Sequence, residues 1–201
     1  MKLKAMVFML LVIQSLCSAQ LVRYVGAKVG VTAATRTYHE SGPSIFDTDV
    51  GVEYHGGMDL GLYVEWFDAS MFSLLTEIHY IQKGAEFVNR TVHEFGLISP
   101  RTDYLSVPVL AKARVFDQGV SPYIVCGPRV DFLIQTRDYD AEVSWKETHK
   151  TDFGATVGVG VEVTTSKHFQ LGIEFRYDPD FTETYRSAKN RSMELLIFAG
   201  F

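Results

Sequence analysis

Glu77 and His79 stand two residues apart in F-S-L-L-T-E-I-H-Y-I-Q-K-G, residues 72–84. In extended chain that spacing puts a carboxylate and an imidazole on one face. The spacing recurs: Lys112 with Arg114, Arg129 with Asp131, and Glu174 with Arg176. Lys28, Lys83, Glu53, Asp59, Glu65, Glu162 and Glu194 complete a set of both signs in similar number, each between less polar neighbours. Such charges can neutralise one another, or they can pass a proton or ion along a path. The neutralising network is the favoured expectation and the path is the alternative.

Other candidate chemistry is thinner. His39, His55, His79, His93, His149 and His168 show no metal-ligand spacing, so no metal or cofactor is expected. Serines and histidines near the outer loops could assemble a lipase-like triad, but no nucleophile-elbow motif is present. No catalytic residue is assigned, and the expectation is a protein that is not an enzyme. Cys126 falls on an apolar face with Ile124, Val130 and Phe132, where an inert thiol is the default. Asn89 and Asn190 open N-R-T and N-R-S, which match a glycosylation pattern.

The elements that position these residues are strands. In residues 168–178, Phe169, Leu171, Ile173, Phe175 and Tyr177 take one face, and polar residues and glycine take the other. In residues 152–164, Phe153, Ala155, Val157, Val159, Val161 and Val163 alternate with Gly154, Thr156, Gly158, Gly160, Glu162 and Thr164. A helix would mix these sets; a strand separates them. Eight such segments are predicted, at 21–33, 53–67, 71–84, 102–116, 121–137, 152–164, 168–180 and 190–201. Short connections at 68–70, 117–120 and 165–167 alternate with long ones at 34–52, 85–101, 138–151 and 181–189. Antiparallel strands joined this way collect the short turns at one end and the long loops at the other. The predicted fold is all-β, an eight-stranded antiparallel up-and-down transmembrane barrel.

A soluble ligand-binding barrel also alternates, with its apolar face inward. Three features favour the membrane. The segments mostly run 12 to 15 residues, where a spanning strand needs about 9 to 11 plus its rims. Gly26, Gly30, Gly57, Gly61, Gly154, Gly158, Gly160 and Gly172 crowd the polar face, where small residues make room inside a narrow barrel. Trp66, Tyr80, Phe153, Phe169, Tyr177 and Phe201 stand near strand ends on the apolar face, as interfacial girdles do. An eight-stranded lumen barely holds its own side chains, so the polar face is expected to form a plug. Pro108 and Pro128 lack a ladder donor, and a bulge is expected at each.

The chain opens M-K-L-K-A-M-V-F-M-L-L-V-I-Q-S-L-C-S-A-Q. Two lysines, a short apolar run and a small-residue site predict a signal peptide over 1–19, with a barrel domain over 20–201. Leu16 stands where a lipoprotein signal wants Gly or Ala, so Cys17 is not expected to carry lipid. Losing Lys2 and Lys4 takes the net charge from −5 to −7, which argues against nucleic acid as a partner. One cysteine then remains, so no internal disulfide forms.

Residues 192–201, S-M-E-L-L-I-F-A-G-F, alternate up to Phe201. Such a strand needs lipid for its apolar face and the first strand for its edge. Phe201, Ala199, Ile197, Leu195 and Met193 resemble the C-terminal signature of outer-membrane barrels, which the insertion machinery reads. Y-L-x-x-P-x-L-x-K within residues 104–112 resembles the fourth strand of the PorT-type outer-membrane beta-barrel domain of Bacteroidota, an eight-stranded barrel of the OmpX/OmpA kind. S-P-Y-I-V-C-G-P-R-V-D, residues 121–131, resembles that domain's next strand, and residues 72–84 its preceding one. The resemblance implies the outer membrane of a Gram-negative bacterium, a surround of lipid, and a role accessory to protein secretion or the envelope. It brings no catalytic residues. The expected function is a plugged anchor and interaction protein whose outer loops contact secretion or envelope proteins. A small-solute or ion conduit is the first alternative, and a lipid-modifying barrel enzyme the second.

Overall fold

Alternation drives the chain into extended segments, and among the described residues every regular element is a strand. The computed structural model describes residues 21–38, 50–67, 71–89, 101–116, 119–137, 150–166, 169–182 and 188–201. The expected signal peptide over 1–19, and His39, His93, His149 and His168, lie outside the described residues. The strands are β1 (Val22–Tyr38), β2 (Val50–Trp66), β3 (Phe72–Asn89), β4 (Arg101–Arg114), β5 (Gly119–Arg137), β6 (Thr151–Ser166), β7 (Phe169–Pro179) and β8 (Ala188–Gly200). Each pairs antiparallel with its sequence neighbours, and β1 pairs with β8, so the sheet closes into a barrel. Val25 and Phe201 exchange backbone hydrogen bonds of 3.0 and 2.9 Å at the seam. The β2–β3, β4–β5 and β6–β7 connections span at most five residues and the other connections at least eight, as the alternation requires.

The strands outrun their apolar stripes at the long-loop end. β1 continues to Tyr38 and β3 to Asn89, five residues beyond the predicted edges. A ladder needs a partner backbone, not an apolar face. Thr35↔Arg191 and Thr37↔Lys189 supply that partner above the stripe.

The expected bulges at Pro108 and Pro128 are absent. Pro108 stays in register with Arg129, and Pro128 with Ala155. Instead, the β3–β4 pairing lapses between Thr76↔Val109 and His79↔Ser106 and resumes unshifted. The β4–β5 pairing lapses likewise between Pro108↔Arg129 and Ala111↔Cys126. A local gap absorbs each missing N–H without an extra residue. Real register shifts fall elsewhere, at Val22/Tyr24, Tyr54/Asp59, Asp103/Tyr104 and Thr164/Ser166.

The apolar face points outward. Leu62 is 62% exposed and Ile197 59%, while Arg176 is 2% exposed. This is the reverse of a soluble barrel and excludes that alternative. Cys126 is exposed on the outer face. Trp66, Phe169 and Phe201 ring the short-turn end, and Tyr80, Phe153 and Tyr177 the long-loop end. The Trp66 indole donates to Thr76 Oγ1 at 2.8 Å, so its polar edge is satisfied without water.

Inside lies a layer that the alternating pattern did not reveal. Tyr24, Tyr63, Tyr123 and Phe198 turn inward with Leu75, Leu110 and Val125. Tyr63 and Tyr123 meet Phe198 edge-on, at 5.9 and 6.3 Å between centroids. Glycines make the space. A Cβ at Gly172 would strike the Phe198 ring, one at Gly160 the Tyr123 ring, and one at Gly26 the Tyr63 ring. At Gly56 a Cβ would meet nothing within 4 Å. Gly172→Ala should therefore lower stability by about 1–3 kcal/mol, the usual range for overpacking, whereas Gly56→Ala should change little. Urea unfolding followed by loss of the heat-modifiable gel form separates them, and equal behaviour of the two variants would refute the ring-on-glycine packing.

Candidate functional site

Among the described residues, six lysine and arginine side chains of the inward face are each at most 3% exposed. They sort by height into three clamps, one lysine and one arginine in each. Nearest the short turns, Lys112 Nζ binds Glu65 at 3.1 Å and also binds Glu162. Arg114 binds Glu65 and donates to Ser73 Oγ at 2.8 Å. β4 thus supplies both cations, and β2 and β6 face them with one carboxylate each.

The middle clamp joins β1, β3 and β7. Lys28 Nζ lies 2.9 Å from Glu77 and 3.2 Å from Glu174. Arg176 Nη2 donates to Glu77 at 2.8 Å, and Nε binds Glu174. The Tyr123 hydroxyl donates to Glu174 at 2.6 Å. His79 bridges two carboxylates, with Nδ1 2.6 Å from Asp59 and Nε2 2.8 Å from Glu77. The Glu77–His79 pair picked out by spacing is therefore a direct contact.

The third clamp lies toward the long loops. Lys83 Nζ donates to Asp131 at 2.6 Å. Arg129 reaches Asp131 at 3.2 Å and Asp178 at 2.9 Å, and binds Asp180. The aromatic layer joins the lower two clamps: Lys28 sits 5.3 Å from the Tyr63 centroid, and Lys112 sits 4.5 Å from that of Tyr123. Rings give desolvated ammonium groups a second favourable surface.

The expected charge balance needs correction. Ten carboxylates face the lumen among the described residues: Asp59, Glu65, Glu77, Asp131, Asp152, Glu162, Glu174, Asp178, Asp180 and Glu194. Against six cations and His79, acid is in excess. Asp152, Asp178 and Asp180 sit at or near strand ends, where alternation fades, and none of them was in the expected set. Glu53 lies in β2, but its side chain is outside the description. The excess collects between the middle and third clamps. There Asp59, Asp178 and Glu194 line a small interior cavity of about 10 Å³ with His79, Arg129 and Arg176, room for about one water.

Each clamp ties walls that are not neighbours in the sheet. Removing one member strands its partners in a dry interior, at a cost of about 3–5 kcal/mol for a buried pair. Arg176→Leu should destabilise the barrel by that order, since Glu77 and Glu174 both lose a partner. A variant with unchanged urea midpoint would show that the middle clamp does not hold the walls.

No curated protein matches the sequence. Among solved structures, OprG from Pseudomonas aeruginosa superposes with a TM-score of 0.54 at 9% identity, over 90% of this chain and 96% of that one. Neisserial surface protein A gives 0.52 at 14% identity, over 88% and 95%. Ail from Yersinia pestis gives 0.44 at 13%, over 89% and 98%. The first two likenesses are to the fold alone. Residues 18–186 match the family model described as outer membrane protein beta-barrel domain. With its apolar face outward, its lumen charged and its sheet closed, the chain belongs to that outer-membrane barrel family and resides in the outer membrane of a Gram-negative cell.

Proposed function

We propose that this barrel is an anchor and interaction protein of the envelope, closed to solutes and without catalytic activity. The observation that carries this is the set of three cross-lumen clamps with the ring layer between the lower two. A barrel filled by its own side chains offers its outer end, not its bore, to the cell. The sequence likeness of residues 72–84, 104–112 and 121–131 to the PorT-type domain supports a more specific role, accessory to protein secretion, in which secretion or envelope proteins meet the outer loops. The insertion machinery would read the last strand, whose Phe201 packs on Phe169 at 5.3 Å between centroids.

One observation favours a second reading, a narrow path for protons or small cations. The acid excess around Asp59, Asp178 and Glu194 encloses the cavity, and Asp59 Oδ2 has no hydrogen-bond partner. The two readings part in planar bilayers. The plugged barrel should show no steady openings in molar potassium chloride. Stable cation-selective steps that vanish in Glu194→Gln would establish the path and end the plug reading.

A further inference from the structure

The outer face of β8 changes character at one point. Phe201, Ile197, Leu195 and Met193 present apolar side chains to the bilayer, and then Arg191 and Lys189 follow on the same face, both exposed. Ten residues separate Phe201 from Arg191, or ~33 Å of strand. At the usual tilt this is about 25 Å along the barrel axis, the height of the apolar band. Arg191 therefore stands at the outer edge of the hydrocarbon, and Lys189 one step into the headgroups.

Neither side chain makes an ion pair or hydrogen bond among the described residues. The opposite wall differs. There Arg101 Nε donates to Asp103 at 2.8 Å, and Tyr80 caps the same carboxylate at 2.7 Å. That cation is already neutralised. The short-turn rim also differs, since Phe67, Phe72, Val115 and Phe116 stand exposed there, and Arg23 is turned toward Glu65 at 4.0 Å. Among the described residues, uncompensated, lipid-facing cations thus gather on β8 at the long-loop rim, on the side of the outer leaflet.

Two cations at alternate positions of one strand lie about 7 Å apart, close enough to converge on one phosphate. The Arg191 guanidinium supplies a fork suited to phosphate oxygens. Thr35 lies directly opposite Arg191 on β1. We infer that Lys189 and Arg191 form a binding site for the phosphate-bearing headgroup of an outer-leaflet lipid.

The folded full-length barrel in detergent micelles would be titrated with a diphosphorylated lipid A and, separately, with its dephosphorylated form. Bound lipid would be counted by native mass spectrometry. The phosphorylated lipid should remain bound, the dephosphorylated one should not, and equimolar inorganic phosphate should fail to compete. The K189Q/R191Q variant should bind roughly thirtyfold more weakly, the effect of two surface cations on anionic lipid. K189R/R191K should keep the lipid, and Lys150→Gln, a cation near the β5–β6 junction, should change nothing. Unboiled gel mobility verifies that every variant is folded. Equal binding by wild type and K189Q/R191Q would overturn the site, as would equal binding of both lipids, full competition by inorganic phosphate, or an equal loss in Lys150→Gln.

Discussion

Hydrocarbon offers a strand edge no hydrogen-bond partner, and the rest of this barrel follows from that condition. Each unsatisfied backbone group in lipid costs several kcal/mol, so β8 has to meet β1 along its length. The seam from Gly26↔Gly200 to Tyr38↔Ala188 meets that demand. Closure at eight strands then sets the bore, and the bore sets what the inward face can carry. A narrow cylinder cannot hold a long side chain at every inward position. Glycines at 26, 160 and 172 stand under Tyr63, Tyr123 and Phe198 for this reason. The cost of glycine in a strand is accepted where a ring fills the space from the other side.

Within that bore the charged groups have no bulk water to lean on, so they solve their solvation with one another. Lys28 and Glu174 are 146 residues apart and touch across the lumen. Lys112 meets Glu65 and Glu162 from two different walls. Hydrogen bonds across a cylinder oppose its flattening, which the sheet's own ladders do not. Rings add stiffness of another kind, because Phe198 is held edge-on by Tyr63 and Tyr123 at once. The acid excess is the one part of this arrangement that neutralisation does not explain, and it gathers beside the small interior cavity lined by Asp59, Asp178 and Glu194.

Strand count, connection order and the outward apolar face were legible because lipid and lumen impose a period of two on the sequence. Every lysine and arginine assigned to the lumen is buried there. The pairs were legible only within one strand, as with Glu77 and His79. Which walls confront each other depends on tilt and stagger at closure, and no local pattern carries that information. The ring layer was hidden for a related reason. Tyr63 lies between Leu62 and Val64, and Phe198 between Ile197 and Ala199, so both look like part of an apolar run. Their glycine partners Gly26 and Gly172 were visible in a polar-face cluster, but glycine does not announce which ring will cover it. Pro108 and Pro128 show the converse. A rule about donors predicted a bulge, and the sheet met it with a lapse in pairing.

Buried ion pairs often add little net stability, because desolvation offsets their attraction. Their presence in this lumen is better understood through register. A slip of one residue would turn a strand's inward set onto lipid. For β7 that would expose Gln170, Glu174, Arg176 and Asp178 to hydrocarbon and bring Leu171, Ile173 and Phe175 inward. An arginine or lysine on the lipid face costs about 2–4 kcal/mol at the midplane, and each carboxylate would lose its partner too. A lumen of leucines would close as tightly but would penalise such a slip far less. The charges therefore act mainly against wrong registers. An apolar strand with one polar face has a single way to sit in a membrane, and the clamps then select which strands it sits beside.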